Sequence, residues 1–422
     1  MGKFDFFHKL ESMTEKAFLR NKLTIYRIKY PNSYMRLVNI QVNFGSRDYM
    51  LKSQNNIQYL PYGTAHFLEH LMFWKGNHNV YEDFFKRNAI LNAFTTYTDT
   101  NFMFNTRPEF VSENLEELFS ILNQHQLNDA IVEQEKRVIK NEIDTAKMDQ
   151  WVDKHYRMLH LLCNGSPVSI YPAGNHSDID SLTTKELKTA YQTFYQPKNM
   201  KLFIIGGREE LDDIISHKLE SYENNQEHCS LSRHLEPHCD LLSKDVFQNY
   251  KSNIGISGFM IGVLLPRSKD NELLLKQKVY WEIFLRALFH IGSPFIQELQ
   301  KSNKIFLQNL AMHTHFTEDV SFIILDLQGE KSEILFEAWN ANILNDRKKV
   351  SQWLSYGKEV FLNKIIYESD YLRKLFDWIS DYAYYDCSLL KVYQIVENMR
   401  DDDFLRLMHF FIEAKKVYIS YT

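Results

Sequence analysis

Two histidines four residues apart, His66 and His70, with Glu69 beside the second, can set a metal ion and a base on one helical face. An α-helix turns about 100° per residue, so positions four apart lie one above the other and both imidazoles can reach a single ion. Glu69, three residues after His66, lies on the same side but off the line of the imidazoles. There it reaches a water on the metal without replacing a ligand, which is the place of a general base. A catalytic zinc takes three protein ligands and lowers the pKa of its water towards ~7, so one more donor is required from elsewhere in the chain.

That donor is expected on a second helix. Ala130–Ala146 sets Ile131, Val138 and Ile139 among charges and contains neither Gly nor Pro. Glu142 is the third ligand of this reading. Glu135, seven residues earlier and so two turns up on the same face, is placed to support a histidine or the water. Histidine pairs at this spacing also occur in ordinary amphipathic helices, and a glutamate in a charged run is more often simply solvated. The metal reading rests on the two histidines and two glutamates occurring together.

The order H-x-x-E-H is that of the inverzincins. With Gly45–Arg47, His66–His70, Leu91–Thr95 and Glu135–Glu142 in this sequence order, followed by Tyr171–Gly174 and Tyr191–Gly207, the chain resembles the pitrilysin (insulinase) metallopeptidase family, which includes the mitochondrial processing peptidases. The 71 residues between His70 and Glu142 are slightly fewer than is usual there, as if a loop were shorter. The resemblance implies zinc as cofactor and an α+β fold. It further implies two homologous mitochondrial-processing-peptidase-like α/β domains, one active and one degenerate, forming half of a clamshell. It places Asn92, Ala93, Phe94 and Thr95 on an edge strand that pairs with extended substrate, whose free backbone groups suit β-augmentation. A buried structural strand is the alternative for these side chains, and Asn92 is the strongest functional candidate among them.

A narrower likeness, to the peptidases of subtilosin-type bacteriocin biosynthesis, is carried by Leu60–His70, Phe73-Trp74, Leu91–Phe104, Ile366–Tyr371 and Ala414–Val417, so it spans nearly the whole chain. It implies removal of the leader peptide from a ribosomally made, modified bacteriocin precursor. The implied partner is a related, non-catalytic peptidase-like subunit in a heterodimer, with a homodimer as the other arrangement. General bacterial processing or oligopeptide hydrolysis, and a non-catalytic peptide-holding subunit, are the competing functions.

At 422 residues, 44% apolar and 14% aromatic, the chain can fill large cores. Its 49 basic and 54 acidic residues are interspersed, net −5, without a basic stripe, so nucleic acid is not an expected partner. The N-terminal residues lack a secretory apolar core, and the longest apolar run, Ile254–Pro266, falls short of the ~20 residues of a membrane span. The expectation is a cytoplasmic protein, with peripheral attachment at a membrane as a variant. Cys163, Cys229, Cys239 and Cys387 are too few for a disulfide framework, so reduced thiols are expected.

Alternating strands are expected over Leu23–Tyr30 and Arg36–Phe44, then the metal helix Ala65–Phe73, a short helix Tyr81–Asn88, strands Leu91–Tyr97 and Asn101–Thr106, and a helix Val111–Gln124. The polar stretch 222–250 divides a catalytic domain, 1–221, from a second, non-catalytic one, 251–422. Within it, His228–Cys239 holds five metal-capable donors in no standard finger spacing and reads as a solvated linker. The second half repeats the order of the first: strand Gly255–Leu265, helix Leu273–His290, strands Phe322–Leu327 and Lys416–Ser420, without a second H-x-x-E-H. Gly292–Leu299 resembles the start of the family's C-terminal substrate-binding block, but Gln300 and Leu307 stand where an arginine and a tyrosine are usual. A partner's C-terminal half is therefore expected to supply those contacts.

Overall fold

The computed structural model describes residues 2–421 apart from 32, 54–55, 124–126, 208–231, 236–238, 252–256, 303–304 and 331–346. Contacts divide the chain into two compact units, Ser12–Asp149 with Ile170–Glu236, and Met1–Glu11 with Gln150–Ser169 and Pro237–Thr422. The division is thus discontinuous in sequence, where composition suggested one contiguous break over 222–250. A polar stretch marks exposed chain, but it does not reveal which sheet a distant helix packs on, and the helices Lys3–Ser12 and Gln150–Leu162 both belong with the later residues.

In the unit holding the histidines, a six-stranded sheet runs from edge to edge as Thr14–Phe18, Thr24–Ile28, Met200–Ile205, Arg36–Val42, Thr100–Thr106 and Ile90–Thr95. Only the pairing of Thr24–Ile28 with Met200–Ile205 is parallel. Arg36–Val42 is central, and its alternation is blunted accordingly. Asn39, a polar member of the pattern, is fully buried and donates its amide to Asn101 Oδ1 on the neighbouring strand at 3.0 Å. The helix Thr64–Leu71 lays Phe67, Leu68 and Leu71 into the core and packs against the helices Asp129–Met148 and Thr184–Phe194. Each such side chain, fully buried, stabilises the fold by about 1.5–3 kcal/mol. That anchorage leaves the opposite face of the helix to hold the chemistry.

The other unit repeats the sheet. Its five strands run Val246–Tyr250, Lys416–Tyr421, Gly258–Leu264, Ser321–Glu330 and Phe306–Phe316. The first pair is parallel and the other three antiparallel, the same sequence of pairings as in the five strands from Thr24–Ile28 to Ile90–Thr95. Phe306–Phe316 therefore occupies the edge position that Ile90–Thr95 holds in the first unit. The helix Asn271–Phe289, opened by Asp270 capping the Glu272 and Leu273 amides, buries Leu274, Leu275, Val279, Ile283, Phe284 and Ala287. From it Glu282 accepts a 2.6 Å hydrogen bond from Thr314 on the edge strand and pairs with Arg286 one turn away. This α+β duplication is the one expected from the order of elements.

Candidate metal centre

The helix carrying His66 and His70 begins one residue after Gly63, whose φ of 87° falls in the left-handed region that glycine adopts most readily. A Cβ there would collide with the Ala173 carbonyl, and one on Gly174 (φ 74°) with the Tyr62 carbonyl. Two glycines thus let the helix entry and the Tyr171–Gly174 loop touch backbone to backbone. That contact sets Tyr171 beside the site, where Glu142 and Glu69 act with burial to raise its phenol pKa.

His66 and His70 present their rings 4.8 Å apart. His66 Nε2 lies 3.4 Å from Glu142 Oε1, and His70 Nε2 lies 3.4 Å from Glu142 Oε2. Among the described residues these three form the group whose donor atoms all fall within 4.8 Å of one another. Ligands about 2.0–2.1 Å from one tetrahedral ion stand about 3.3–3.4 Å apart, so the observed separations are those of donors sharing an ion. Two imidazoles and a carboxylate are also the donor set of a catalytic zinc with one position left open. The residues present therefore fit zinc.

The surrounding groups hold this face in place. Glu135, 4% exposed, sits 2.9 Å from His70 Nδ1 through Oε2 and accepts from Trp74 Nε1 through Oε1 at 3.1 Å. A carboxylate on Nδ1 fixes the ring so that Nε2 is the nitrogen turned towards Glu142. Burial disfavours a charge on His70, but Glu135 and Glu142 outweigh it and raise its pKa to about 9. Without metal it therefore carries a proton at neutral pH, which an incoming ion displaces. Hydrogen bonds with His66 and His70 hold the Glu142 carboxyl well below the usual range.

Glu69 is 6% exposed and accepts a 2.6 Å hydrogen bond from the Thr95 hydroxyl through Oε2. Burial raises its pKa, while His66, Thr95 and His70 pull the other way. A carboxylate poised above its ordinary value is a better proton acceptor near neutrality. Thr95 ends the strand Ile90–Thr95, which lies at the sheet edge and pairs on one side with Thr100–Thr106. Along it Asn92 is exposed, and Ala93, Phe94 and Thr95 are half-buried.

All five residues of the expected centre are thus brought together, with the expected edge strand reaching Glu69 through Thr95. Sequence reasoning assigned no role to Trp74, Tyr81 or Tyr171. Trp74 lies past the end of the helix, in the short strand Trp74–Lys75, and meets the site through Glu135; burial and the nearby Glu69 and Glu135 carboxylates raise the Tyr81 pKa to about 12. Of the His228–Cys239 tract, residues 228–231 and 236–238 lie outside the described residues. Gln300 is half-buried in the helix Pro294–Lys301, and Leu307 is 5% exposed in its own sheet. No helix among the described residues is long and apolar enough to cross a membrane.

Residues 29–163 match the family described as Insulinase (Peptidase family M16), and residues 181–340 match the one described as Peptidase M16 inactive domain. The chain is 37% identical over 422 residues to a Bacillus subtilis protein named "Putative zinc protease AlbF", covering 99% of this chain and 98% of that one. A second B. subtilis relative, "Uncharacterized zinc protease YmfH", is 26% identical over 91% of this chain and 90% of its own length. Among solved structures, an M16-like peptidase from Alicyclobacillus acidocaldarius superposes with a TM-score of 0.84 at 20% identity, over 97% of this chain and 98% of the other. With full-length kinship to proteins named for zinc and two M16-like halves, the chain belongs to the zinc-dependent insulinase family, peptidase family M16.

Proposed function

We propose that this chain is a zinc endopeptidase in which His66, His70 and Glu142 hold the metal, Glu69 is the general base and Glu135 a positioning residue. The observation that carries the reading is the convergence of three donor atoms within 4.8 Å, with the buried Glu69 carboxylate beside them. Zinc, when bound, acts as a Lewis acid that polarises a peptide carbonyl and acidifies water. Glu69 takes the proton of the attacking water at its carboxylate and delivers it to the leaving amine nitrogen. Thr95, donating to Oε2, keeps the carboxylate oriented during that transfer. The edge strand Asn92–Thr95 binds extended substrate by backbone pairing, which reads conformation more than sequence.

The substrate is the leader segment of a ribosomally made, modified bacteriocin precursor, a reading supported by full-length similarity to the AlbF protein. A related peptidase-like subunit completes the site. Leu307 supports this, since its side chain is buried within its own sheet and offers no polar group to a substrate. Mass spectrometry of precursor peptides incubated with this protein, with and without a related subunit, tests the proposal. Cleavage at one leader boundary, lost in Glu69→Gln protein that retains zinc, is the expected result. Equal cleavage by Glu69→Gln protein sinks the assigned base.

A further inference from the structure

After the helix Thr64–Leu71 and the buried pair Met72-Phe73, the chain makes a short hairpin that pairs Trp74 with Asn79 and Lys75 with His78. Gly76 and Asn77 form its two-residue turn, and the φ of 59° at Gly76 is the positive value that a hairpin turn takes at its first position. The Val80 amide closes the hairpin onto the Phe73 carbonyl at 3.0 Å, and Lys75 anchors it to Glu117 of the helix Val111–Leu122.

The same hairpin meets the helix Asp129–Met148 at two places. Trp74 Nε1 donates to Glu135 Oε1 at 3.1 Å, and Asn128, which caps that helix, donates its Nδ2 to Asn77 Oδ1 at 3.2 Å. Asn128 Oδ1 accepts the Ala130 amide, so one side chain both opens the helix and joins it to the turn. Asn128, Glu135 and Glu142 are spaced by seven residues and so follow one another at intervals of about 10 Å along one face. The first meets Asn77, the second meets Trp74 and His70, and the third lies 3.4 Å from both His66 and His70. The face that delivers the third ligand is thus laid along the metal helix and the hairpin together.

Building on the proposed zinc site, we infer that the hairpin Trp74–Asn79 splints the metal centre, and that Trp74 is a positioning residue acting on zinc through Glu135. Glu135 places Oε2 on His70 Nδ1, and the indole holds Oε1. An indole N–H donates only, so it orients the carboxylate without accepting its proton or competing for the ion. Contacts at Asn128 and Glu135 fix both the rotation and the advance of their helix against the hairpin. A slip of one residue would swing Glu142 by about 100° away from the histidines.

The test is the zinc affinity of full-length protein, measured by competition with a chromophoric chelator. Trp74→Phe keeps the aromatic bulk and removes the donor, and it should weaken zinc binding about tenfold, the low end for groups behind a metal ligand. Its loss should not add to that of Glu135→Ala. The double variant should bind zinc within about twofold of Glu135→Ala alone, whereas a merely structural role for Trp74 would multiply the two losses. Should the indole be required for folding, the exposed turn carries the test. Asn77→Ala should then lose about threefold in affinity, and Asn77→Asp, which keeps the acceptor, should restore it. Wild-type affinity in Trp74→Phe overturns the inference, as do multiplied losses in the double variant or, where Trp74→Phe does not fold, wild-type affinity in Asn77→Ala. Wild-type protein that holds no zinc removes the metal site itself, which a negative result on Trp74→Phe alone leaves intact.

Discussion

Thr95 donates its hydroxyl to Glu69 at 2.6 Å, so the last residue of the edge strand holds the carboxylate that acts as base in the proposed reaction. A strand expected to bind substrate and a helix expected to hold metal are thereby tied by one short hydrogen bond. In the proposed reaction, the strand that would pair with substrate also carries the hydroxyl that orients the base. Replacing Thr95 by valine keeps the shape and removes the donor. Glu69 then loses a contact that lowers its pKa, so the acid limb of the kcat/KM profile should move to higher pH. An unchanged limb in a pH–rate series would show that this hydroxyl does not reach the reacting base.

Glu69→Gln should keep zinc and lower kcat by about 10²–10⁴-fold, the usual worth of a positioned general base. Metal content by atomic spectroscopy and turnover by mass spectrometry on the same sample separate this outcome from simple loss of the ion.

Glu135→Gln leaves His70 Nδ1 without its carboxylate and Trp74 Nε1 with a weaker acceptor. Zinc affinity should fall about 10–100-fold while the fold persists. Competition with a chromophoric chelator measures it, and wild-type affinity in the variant would remove Glu135 from the centre.

His155 stacks on Trp151 at 5.0 Å and meets the His313 ring at 5.4 Å. Burial, with His313 and His315 assisting, lowers its pKa from 6.5 to about 4. Because the folded value lies below the unfolded one, the unfolded chain binds more protons between these limits. Stability is therefore full above pH ~6.5 and falls as the pH drops towards ~4, by at most about 3 kcal/mol from this group. Urea titrations across that window should show the slope, and His155→Gln should flatten it. A variant that keeps the full slope would assign the loss to other groups.

The metal face was legible because its spacing is local: His66, Glu69 and His70 share one helix, and Glu135 and Glu142 share another two turns apart. Periodicity likewise located Arg36–Val42, Thr100–Thr106 and the repeat in the second half. What stayed hidden depends on chain segments meeting at long range. Trp74 and Tyr81 gain a role only through Glu135 and Glu69, and Tyr171 only through the back-to-back glycines Gly63 and Gly174. The domain division was obscured for the same reason, since nothing in the composition of Gln150–Leu162 states that it packs with residues nearly a hundred positions later.

The duplicated sheet keeps a further trace in Glu282, which accepts from Thr314 on an edge strand as Glu69 does from Thr95. Burial would neutralise Glu282, but Arg286 and Lys278 hold its pKa at about 2. The positive charge beside this second carboxylate is thus built into the polypeptide and cannot be dialysed away. Chelation should leave the first half with the proton on His70 as its countercharge and leave the other half unchanged. The chain would then answer metal scarcity by losing its chemistry while retaining the half whose cation is covalent.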